Sequence, residues 1–170
     1  MAGYRKLSKP TDLRMAILKN QVSEFLWFGT LNTTLDRAKE VRKLAEKYIT
    51  LAINTYEDTV TVTKNKKNLK GETVAVEFKN DGAMKLAARR KLMASLVDLQ
   101  EIKGEKESKS AYKARTAEVA HPLVEKIFNE YAPKYAERAK ELGQGGGYTR
   151  ILRVENRLGD NAEMVILQLV

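Results

Sequence analysis

Apolar residues recur at helical spacing through the first third of the chain, and this pattern predicts two amphipathic helices. Pro10 stops any helix that precedes it, and Gly29 ends the first predicted helix. The apolar stripe of that helix consists of Met15, Leu18, Val22, Phe25 and Leu26. A short strand over 30–33 leads to a second helix that extends to about Asn54. Its stripe consists of Ala38, Val41, Ala45, Tyr48 and Ala52. Thr33 with Asp36 has the form of a capping box for this second helix.

The period of the pattern changes from helical spacing to strict alternation near residue 55. Two β-prone stretches, 59–63 and 73–78, flank a polar and basic tip at 65–71, which predicts a β-hairpin. The segment after it predicts a third helix, beginning near Gly82, with apolar residues Met84, Leu86, Ala87, Leu92, Met93, Leu96 and Val97. Residues 103–110 contain no apolar side chain, so we expect a solvated loop.

The last third of the chain predicts two more helices and a second hairpin. One helix starts at about Ala117, and a shorter one runs from Pro133 to Gly143. Strands over 148–154 and 164–170 flank a turn at 155–161. The whole order predicts an α+β fold with two layers, in which helices pack on one face of a small mixed sheet and one β-hairpin is inserted. We expect a single domain over 1–170.

Charge favours a polyanionic partner. Lys and Arg total 31 against 22 Asp and Glu, which gives a net charge of +9. Such an excess suits nucleic acid or an acidic membrane surface. The longest apolar stretch, 25–31, is far too short to cross a bilayer, and no apolar run follows the basic N-terminus as in a signal peptide. We therefore expect no membrane-spanning segment and a protein that stays in the compartment where it is made. No membrane partner is expected, although charge alone does not exclude an acidic membrane surface.

The residue inventory argues against enzyme chemistry. The chain has no Cys and one His, which excludes disulfides, thiolate zinc sites and cysteine nucleophiles. His121 precedes Pro122 and is expected to be a capping or surface residue. We expect no catalytic residue, metal, cofactor or small-molecule substrate. A hydrolase or transferase that uses scattered carboxylates is the remaining enzyme alternative, and it would require a deep pocket with convergent acids.

Three segments are candidates for binding nucleic acid. The N-terminal arm, from Tyr4 to Lys19, carries cations that can neutralise phosphates, although a solvated terminus is the more common outcome for such a run. Between Gly145 and Leu152, glycines allow close backbone approach, and Tyr148 can stack on a base. Thr149 and Arg150 can both reach phosphate oxygens. The alternative is a linker after a helix C-cap, with Tyr148 packed on the core. The third candidate is the run 89–91, although such runs are usually solvated helix faces.

Several strings in the chain carry a family likeness. The most specific is Gly146-Gly147-Tyr148-Thr149-Arg150-Ile151-Leu152, followed by Arg157 and Gly159-Asp160. Further matches are Arg5-Lys6-Leu7, Arg14, Thr33-Thr34, Ala38-Lys39-Glu40, Arg42, Ala88-Arg89-Arg90 and Arg138. With these residues the chain resembles the bacterial large-subunit ribosomal protein seventeen family over roughly two thirds of its length. It departs from the family pattern at Leu13, at Phe28-Gly29 and in two insertions at 55–83 and 99–117.

The resemblance implies a structural constituent of the large ribosomal subunit that binds and stabilises large-subunit ribosomal RNA beside neighbouring ribosomal proteins. It implies a cytoplasmic location, in the bacterial ribosome, and no enzyme activity. A free-standing RNA-binding chaperone is the alternative. The insertions either reach further RNA or a neighbouring protein, or they are solvated decorations. The residues expected to bind RNA are Arg5, Lys6, Lys9, Arg14, Lys19, Thr33, Thr34, Lys39, Arg42, Arg89, Arg90, Gly146, Gly147, Tyr148, Thr149, Arg150 and Arg157.

Overall fold

The computed structural model of the chain describes residues 5–67, 73–117 and 119–170. Its helices are α1 (Thr11–Phe28), α2 (Leu35–Ile53), α3 (Ala83–Ser95), α4 (Lys109–Thr116), α5 (Pro122–Lys126) and α6 (Ala132–Leu142). A π-helical turn, Ile127–Tyr131, joins α5 to α6. The strands are β1 (Thr30–Thr34), β2 (Thr59–Lys67), β3 (Thr73–Asp81), β4 (Thr149–Arg153) and β5 (Met164–Leu169). The predicted α+β class is confirmed.

Three strands form the main sheet in the order β1-β5-β4. The register places Leu31 and Ile151 on either side of Leu167, and both pairings are antiparallel. The sheet is therefore antiparallel throughout. The prediction of a mixed sheet was wrong. The reason is that the connection 154–163 joins β4 to β5 as a hairpin, while β1 adds to the free edge of β5 in the opposite direction.

The helices cover one face of this sheet. Alternate side chains point to that face, so Leu31, Val165 and Leu167 are buried, whereas Asn32 and Gln168 on the other face are exposed. The helix α2 packs on β5 with small residues that permit close approach, and its buried apolar positions are Ala38, Val41, Ala45, Ile49 and Ala52. The core formed in this way includes residues from α1, α2, α3, the run from α5 to α6 and the sheet.

The helix α1 begins after Pro10 and ends at Gly29, as predicted. Gly29 has a φ of +77°, and its N–H donates to the carbonyl oxygen of Phe25 at 2.8 Å. The buried stripe of α1 starts at Arg14 and not at Met15, whose side chain is exposed. The stripe continues to Leu18 at a spacing of four. In the first turn of α1, the buried position is therefore one residue earlier in the chain than predicted.

The predicted capping box at the start of α2 is wrong. Thr34 occupies the N-cap position, and its side chain makes no capping hydrogen bond. Thr33 is buried, and its hydroxyl oxygen accepts a hydrogen bond from the side-chain amide of Gln21 at 3.2 Å. The alternation of β1 turns Thr33 towards the helices, so its hydroxyl is not available to the first turn of α2.

Two predictions for the middle of the chain need correction. Most of the apolar residues expected on α3 are exposed, and within that helix Ala88 and Leu92 are the buried residues. The helix α4 lies where a loop and an insertion were expected, and its first turn is capped by Ser108, whose hydroxyl accepts from the Ala111 N–H at 3.1 Å. The helix predicted from about Ala117 begins at Pro122 instead.

The inserted hairpin is confirmed and is longer than predicted. The strands β2 and β3 contain nine residues each and pair from Thr59 opposite Asp81 to Lys67 opposite Thr73. Residues 65–67, which were expected in the tip, belong to β2. The rest of the predicted tip lies in 68–72, outside the described residues.

Asp58 joins both ends of the hairpin to α3. Its carboxylate accepts from the backbone N–H groups of Met84 and Lys85 at 2.8 and 3.3 Å, and its carbonyl oxygen accepts from the Gly82 N–H at 2.9 Å. Asp58 thus caps a helix from across the hairpin, where no residue next to the helix provides a side-chain cap. A Cβ atom on Gly82 would lie 2.0 Å from a carboxylate oxygen of Asp58, so this contact requires glycine.

We predict that Asp58→Ala lowers the free energy of unfolding by about 1 kcal/mol, because the first turn of α3 loses its capping acceptor. Urea unfolding followed by circular dichroism measures the change. Glu24→Ala, at an exposed position of α1, is the control and should leave stability within about 0.5 kcal/mol of the parent. Equal stabilities of the two variants would contradict the capping role.

Candidate nucleic-acid interface

Four of the residues expected to bind RNA are buried: Arg14, Thr33, Tyr148 and Thr149. The ring of Tyr148 lies 4.9 Å from the ring of Tyr135, centroid to centroid, and is 5% exposed. A ring in this position packs in the core and cannot stack on a base, so the packed alternative for Tyr148 is the one observed. Arg14 is 7% exposed, so the structure places its side chain inside the fold and away from the surface on which RNA binding was expected.

The side chain of Thr149 joins the sheet to α2. Its hydroxyl donates to a carboxylate oxygen of Glu46 at 2.7 Å, and the same oxygen accepts from Nε of Arg42 at 3.1 Å. The strand β4 therefore fixes Glu46, and Glu46 in turn holds Arg42 at the surface. The Arg42 side chain stays 44% exposed, so its guanidinium remains accessible to a phosphate.

Arg89 is held inside a cluster of carboxylates. Its guanidinium donates to Asp81 at the end of β3 and to Glu125 on α5, and it lies 5.3 Å from the Phe128 ring centroid. Burial would raise the pKa of Asp81, but the hydrogen bonds and charges of Arg89 and Lys85 outweigh that effect and lower it. Arg89 therefore ties three elements together, which contradicts its predicted position on an RNA-facing surface.

Arg157 stabilises the turn between β4 and β5. Its guanidinium makes two hydrogen bonds to Asp160, at 2.8 and 2.5 Å, and these lower the pKa of Asp160 to about 2. The backbone N–H of Arg157 donates to the carbonyl oxygen of Ala162 at 3.0 Å. Both side chains are exposed, but the charge of Arg157 is largely matched within the turn.

Other predicted residues remain at the surface. Arg5 forms an ion pair with Asp36 at 2.8 Å, and both side chains are exposed, so the pair contributes little to stability. Lys19 donates to the carbonyl oxygen of Ala94 at 3.1 Å and links α1 to the end of α3. Thr34 and Lys39 are half-buried. The exposed cations of the predicted set, besides Arg5 and Arg157, are Lys6, Lys9, Arg42, Arg90 and Arg150.

A basic surface surrounds the start of β4. Gly146 and Gly147 are exposed and have φ values of +97° and +63°, which favour glycine. Arg138 of α6 donates to the Gly147 carbonyl oxygen at 3.3 Å, and Arg150 lies on the sheet face away from the helices. We call these residues, together with Arg42, which Glu46 and Thr149 link to β4, the β4 basic surface. Arg138 was not among the predicted site residues, although it was part of the family likeness that could have indicated it.

Three carboxylates line a surface cavity of about 510 Å³: Glu101, Glu125 and Glu130. Glu101 pairs with Arg115, and Glu125 pairs with Arg89. Within the described ranges, no group of three His, Asp or Glu residues is placed to hold a metal ion. His121 lies at the surface beside Asp98, at 3.2 Å. No helix in those ranges has both the length and the apolar content required to cross a membrane.

Comparisons with a family model and with individual proteins point to the same family. The family model described as Ribosomal protein L17 matches residues 17–170. The chain is 38% identical to the large ribosomal subunit protein bL17 of Clostridium botulinum (strain Hall) over 170 aligned positions, which cover all of both chains. The protein of the same name from Clostridium tetani is also 38% identical over 170 positions, again covering both chains. For Lachnospira eligens the identity is 38% over 189 positions, with full coverage of both.

We predict that Arg89→Met lowers the free energy of unfolding by about 2 kcal/mol at pH 7, because two partly buried carboxylates lose their cation. The pKa of Asp81 is lowered by folding, so its contribution is complete above the unfolded pKa of about 4 and is lost as the pH falls below it. The difference from the parent should therefore narrow at about pH 3. Urea unfolding at both pH values measures it.

Arg90→Met is the matched control, because Arg90 is the exposed neighbour of Arg89 on α3. It should change stability by less than about 0.5 kcal/mol at either pH. If Arg89→Met proved as stable as Arg90→Met at pH 7, the inference that Arg89 stabilises the fold by pairing with Asp81 and Glu125 would be wrong.

Proposed function

The chain belongs to the ribosomal protein L17 family, and on that premise we propose that it is a structural constituent of the large ribosomal subunit. In this proposal it binds and stabilises large-subunit ribosomal RNA beside neighbouring ribosomal proteins, in the bacterial cytoplasm. The observation that carries the proposal is the family match over residues 17–170, nearly the whole chain. The net charge of +9 supports RNA as the main partner.

The β4 basic surface is the proposed main contact with RNA. Arg42 is linked to β4 through Glu46 and Thr149, and Arg150 follows Gly146 and Gly147 along the chain on the outer face of the sheet; both side chains are exposed. A guanidinium can bind a phosphate through two parallel hydrogen bonds, and a glycine backbone allows a sugar-phosphate chain to approach closely. Glu46 holds Arg42 in place before RNA arrives, so less side-chain entropy is lost on binding.

The segment that precedes α1, residues 5–10, is the proposed second contact. Arg5, Lys6 and Lys9 are exposed, and their charges add to the attraction for phosphates without selecting a sequence. The ion pair of Arg5 with Asp36 is exposed on both sides, so a phosphate can replace the carboxylate at little cost. Arg90 on α3 and the half-buried Lys39 on α2 are further candidates for such contacts.

The proposed work of the protein is neutralisation and positioning, without catalysis. RNA segments repel each other, and cations held on a rigid fold allow them to lie close together. The alternative is a free-standing RNA-binding chaperone. Such a chaperone would use the same cations, but it would bind many RNAs transiently and would have no fixed position in a ribosome.

Sedimentation separates the two functions. We predict that the full chain is present in large-subunit fractions of a sucrose gradient in about one copy per subunit, and that it remains there after a high-salt wash. Salt weakens the phosphate contacts, so a loosely bound chaperone is removed, whereas a chain packed into a folded RNA site beside other proteins keeps its non-ionic contacts. Quantitative immunoblotting against a known large-subunit protein measures the ratio. Recovery at the top of the gradient alone would contradict the structural role and favour the chaperone.

We predict that Arg150→Glu reduces incorporation into large subunits several-fold while leaving the fold intact. Arg150 is exposed on the outer face of the sheet, so the change removes a cation and places a like charge next to phosphate without disturbing the core. Competition between tagged variant and parent chains in growing cells measures incorporation, and thermal unfolding of the purified chains measures stability.

Lys113→Glu makes the same change in charge on the exposed surface of α4 and serves as the control. It should incorporate nearly as well as the parent chain. The assigned role of Arg150 fails if both variants incorporate equally, or if Arg150→Glu unfolds the protein.

A further inference from the structure

The inserted hairpin has two chemically different faces. The register places Val62 opposite Phe78 and Lys64 opposite Val76, so their side chains share one face with Val60 and Lys66. We call this the apolar-basic face of the hairpin. The opposite face contains mainly threonines and charged residues: Thr59, Thr61, Thr63, Lys67, Glu77 and Lys79. The alternation is regular along both strands, so the sequence specifies this difference between the faces.

The apolar-basic face is open to solvent in the described part of the chain. Val60 is 51% exposed and Phe78 is 38% exposed. Val62 and Val76 on the same face are half-buried. A two-stranded hairpin is only marginally stable in water without a further layer, and exposed apolar side chains that cluster usually mark a binding surface. Nine-residue strands extend about 30 Å. The hairpin therefore presents this face well beyond its attachment to α3.

The charge on the hairpin is complementary to RNA. Its described strands carry four lysines, Lys64, Lys66, Lys67 and Lys79, against Glu77 and Asp81. Asp81 already pairs with Arg89 and Lys85 at the hairpin base, so the outer part is strongly positive. Two of the four lysines lie on the apolar-basic face itself. An apolar protein surface docked there would have to desolvate both ammonium groups, whereas RNA offers phosphates for them.

The positions of Lys64 and Phe78 fit a single nucleotide. The ammonium nitrogen of Lys64 lies over the Phe78 ring, 5.8 Å from its centroid. A base that stacks on this face of the ring displaces the flexible lysine side chain, which then lies beside the base. An exposed aromatic ring on a β-sheet surface can stack on an unpaired base, and a cation beside it can bind the phosphate of the same or the next nucleotide. Bases in a duplex are already stacked on their neighbours, so this arrangement favours unpaired RNA.

We propose that the apolar-basic face of the hairpin is a second RNA-binding surface, which takes unpaired nucleotides by stacking on Phe78 and by phosphate contacts with Lys64 and Lys66. The inference rests on the proposed RNA binding of this chain, but it concerns a surface separate from the β4 basic surface. Asp58 contributes by fixing the base of the hairpin on α3, which sets the direction in which the face is presented.

Site-specific cross-linking tests the inference in the assembled particle. The photoreactive residue p-benzoylphenylalanine replaces Phe78 in the full chain, large subunits are purified on a gradient, and the subunits are irradiated. We expect an RNA adduct at one unpaired segment. The same replacement at Glu77, on the opposite face, is the control and should give a weaker adduct at that segment. An adduct with a ribosomal protein, or none in subunits that contain the chain, would overturn the inference.

Binding by the purified chain tests the same surface without the ribosome. The probe is a fluorescent oligouridylate of about ten nucleotides, with a duplex RNA of equal length for comparison. Phe78→Ala should weaken binding of the single strand by about 5- to 100-fold, with a smaller effect on the duplex. Lys64→Glu should weaken it more than Lys79→Glu, which makes the same charge change on the opposite face. Equal losses for these two lysines, or no loss for Phe78→Ala, would refute the inference.

The two experiments separate this inference from the proposed function. A chain that binds the oligonucleotide through Phe78 and Lys64 but is absent from large subunits would contradict the ribosomal role and leave the hairpin surface standing. A chain that is present in large subunits but forms no RNA adduct at residue 78 would contradict the hairpin surface and leave the ribosomal role standing.

Discussion

The pairing of β1 with β5 is the contact on which the rest of the structure depends. It joins the first strand of the chain to the last, and hydrogen bonds extend it at both ends, from the Leu169 N–H to the Gly29 carbonyl and from the Leu35 N–H to the Glu163 carbonyl. This pairing places β5 at the centre of the sheet and brings Val165 and Leu167 under α2. The helices can bury their apolar stripes only because this long-range closure forms the surface on which they pack.

Much of the fold could be predicted because its signals are local. Helical spacing located α1 and α2, alternation located the hairpin of β2 and β3, and a turn between two strand-like stretches located the C-terminal hairpin. Each of these patterns depends on a few neighbouring residues. The partner of β1 could not be predicted in that way, and the antiparallel order of the sheet was missed for this reason. The inward positions of Arg14 and Arg89 were missed as well. The position of Arg89 depends on Glu125, which lies on a different helix and leaves no local trace in the sequence.

The residues from Gly146 to Arg150 form one continuous motif in the sequence, but in the structure some of them maintain the fold and others face solvent. Tyr148 packs in the core and Thr149 bonds to Glu46, while Arg150 faces solvent. Strand alternation explains why Thr149 and Arg150 differ, because neighbouring residues of β4 point to opposite faces. A family likeness therefore identifies such residues as a group, and only the fold separates those that maintain the structure from those that can contact a partner.

The way in which the two ends of the hairpin meet affects how the length of this segment can change. Its two ends meet at Asp58 and Gly82, where one backbone hydrogen bond of 2.9 Å closes the segment. The entropy of closing such a loop grows only slowly with its length, so residues can be added to or removed from the hairpin at small thermodynamic cost. The path from α2 to α3 stays the same in either case. Evolution can therefore adjust the reach of the hairpin independently of the helices and the sheet.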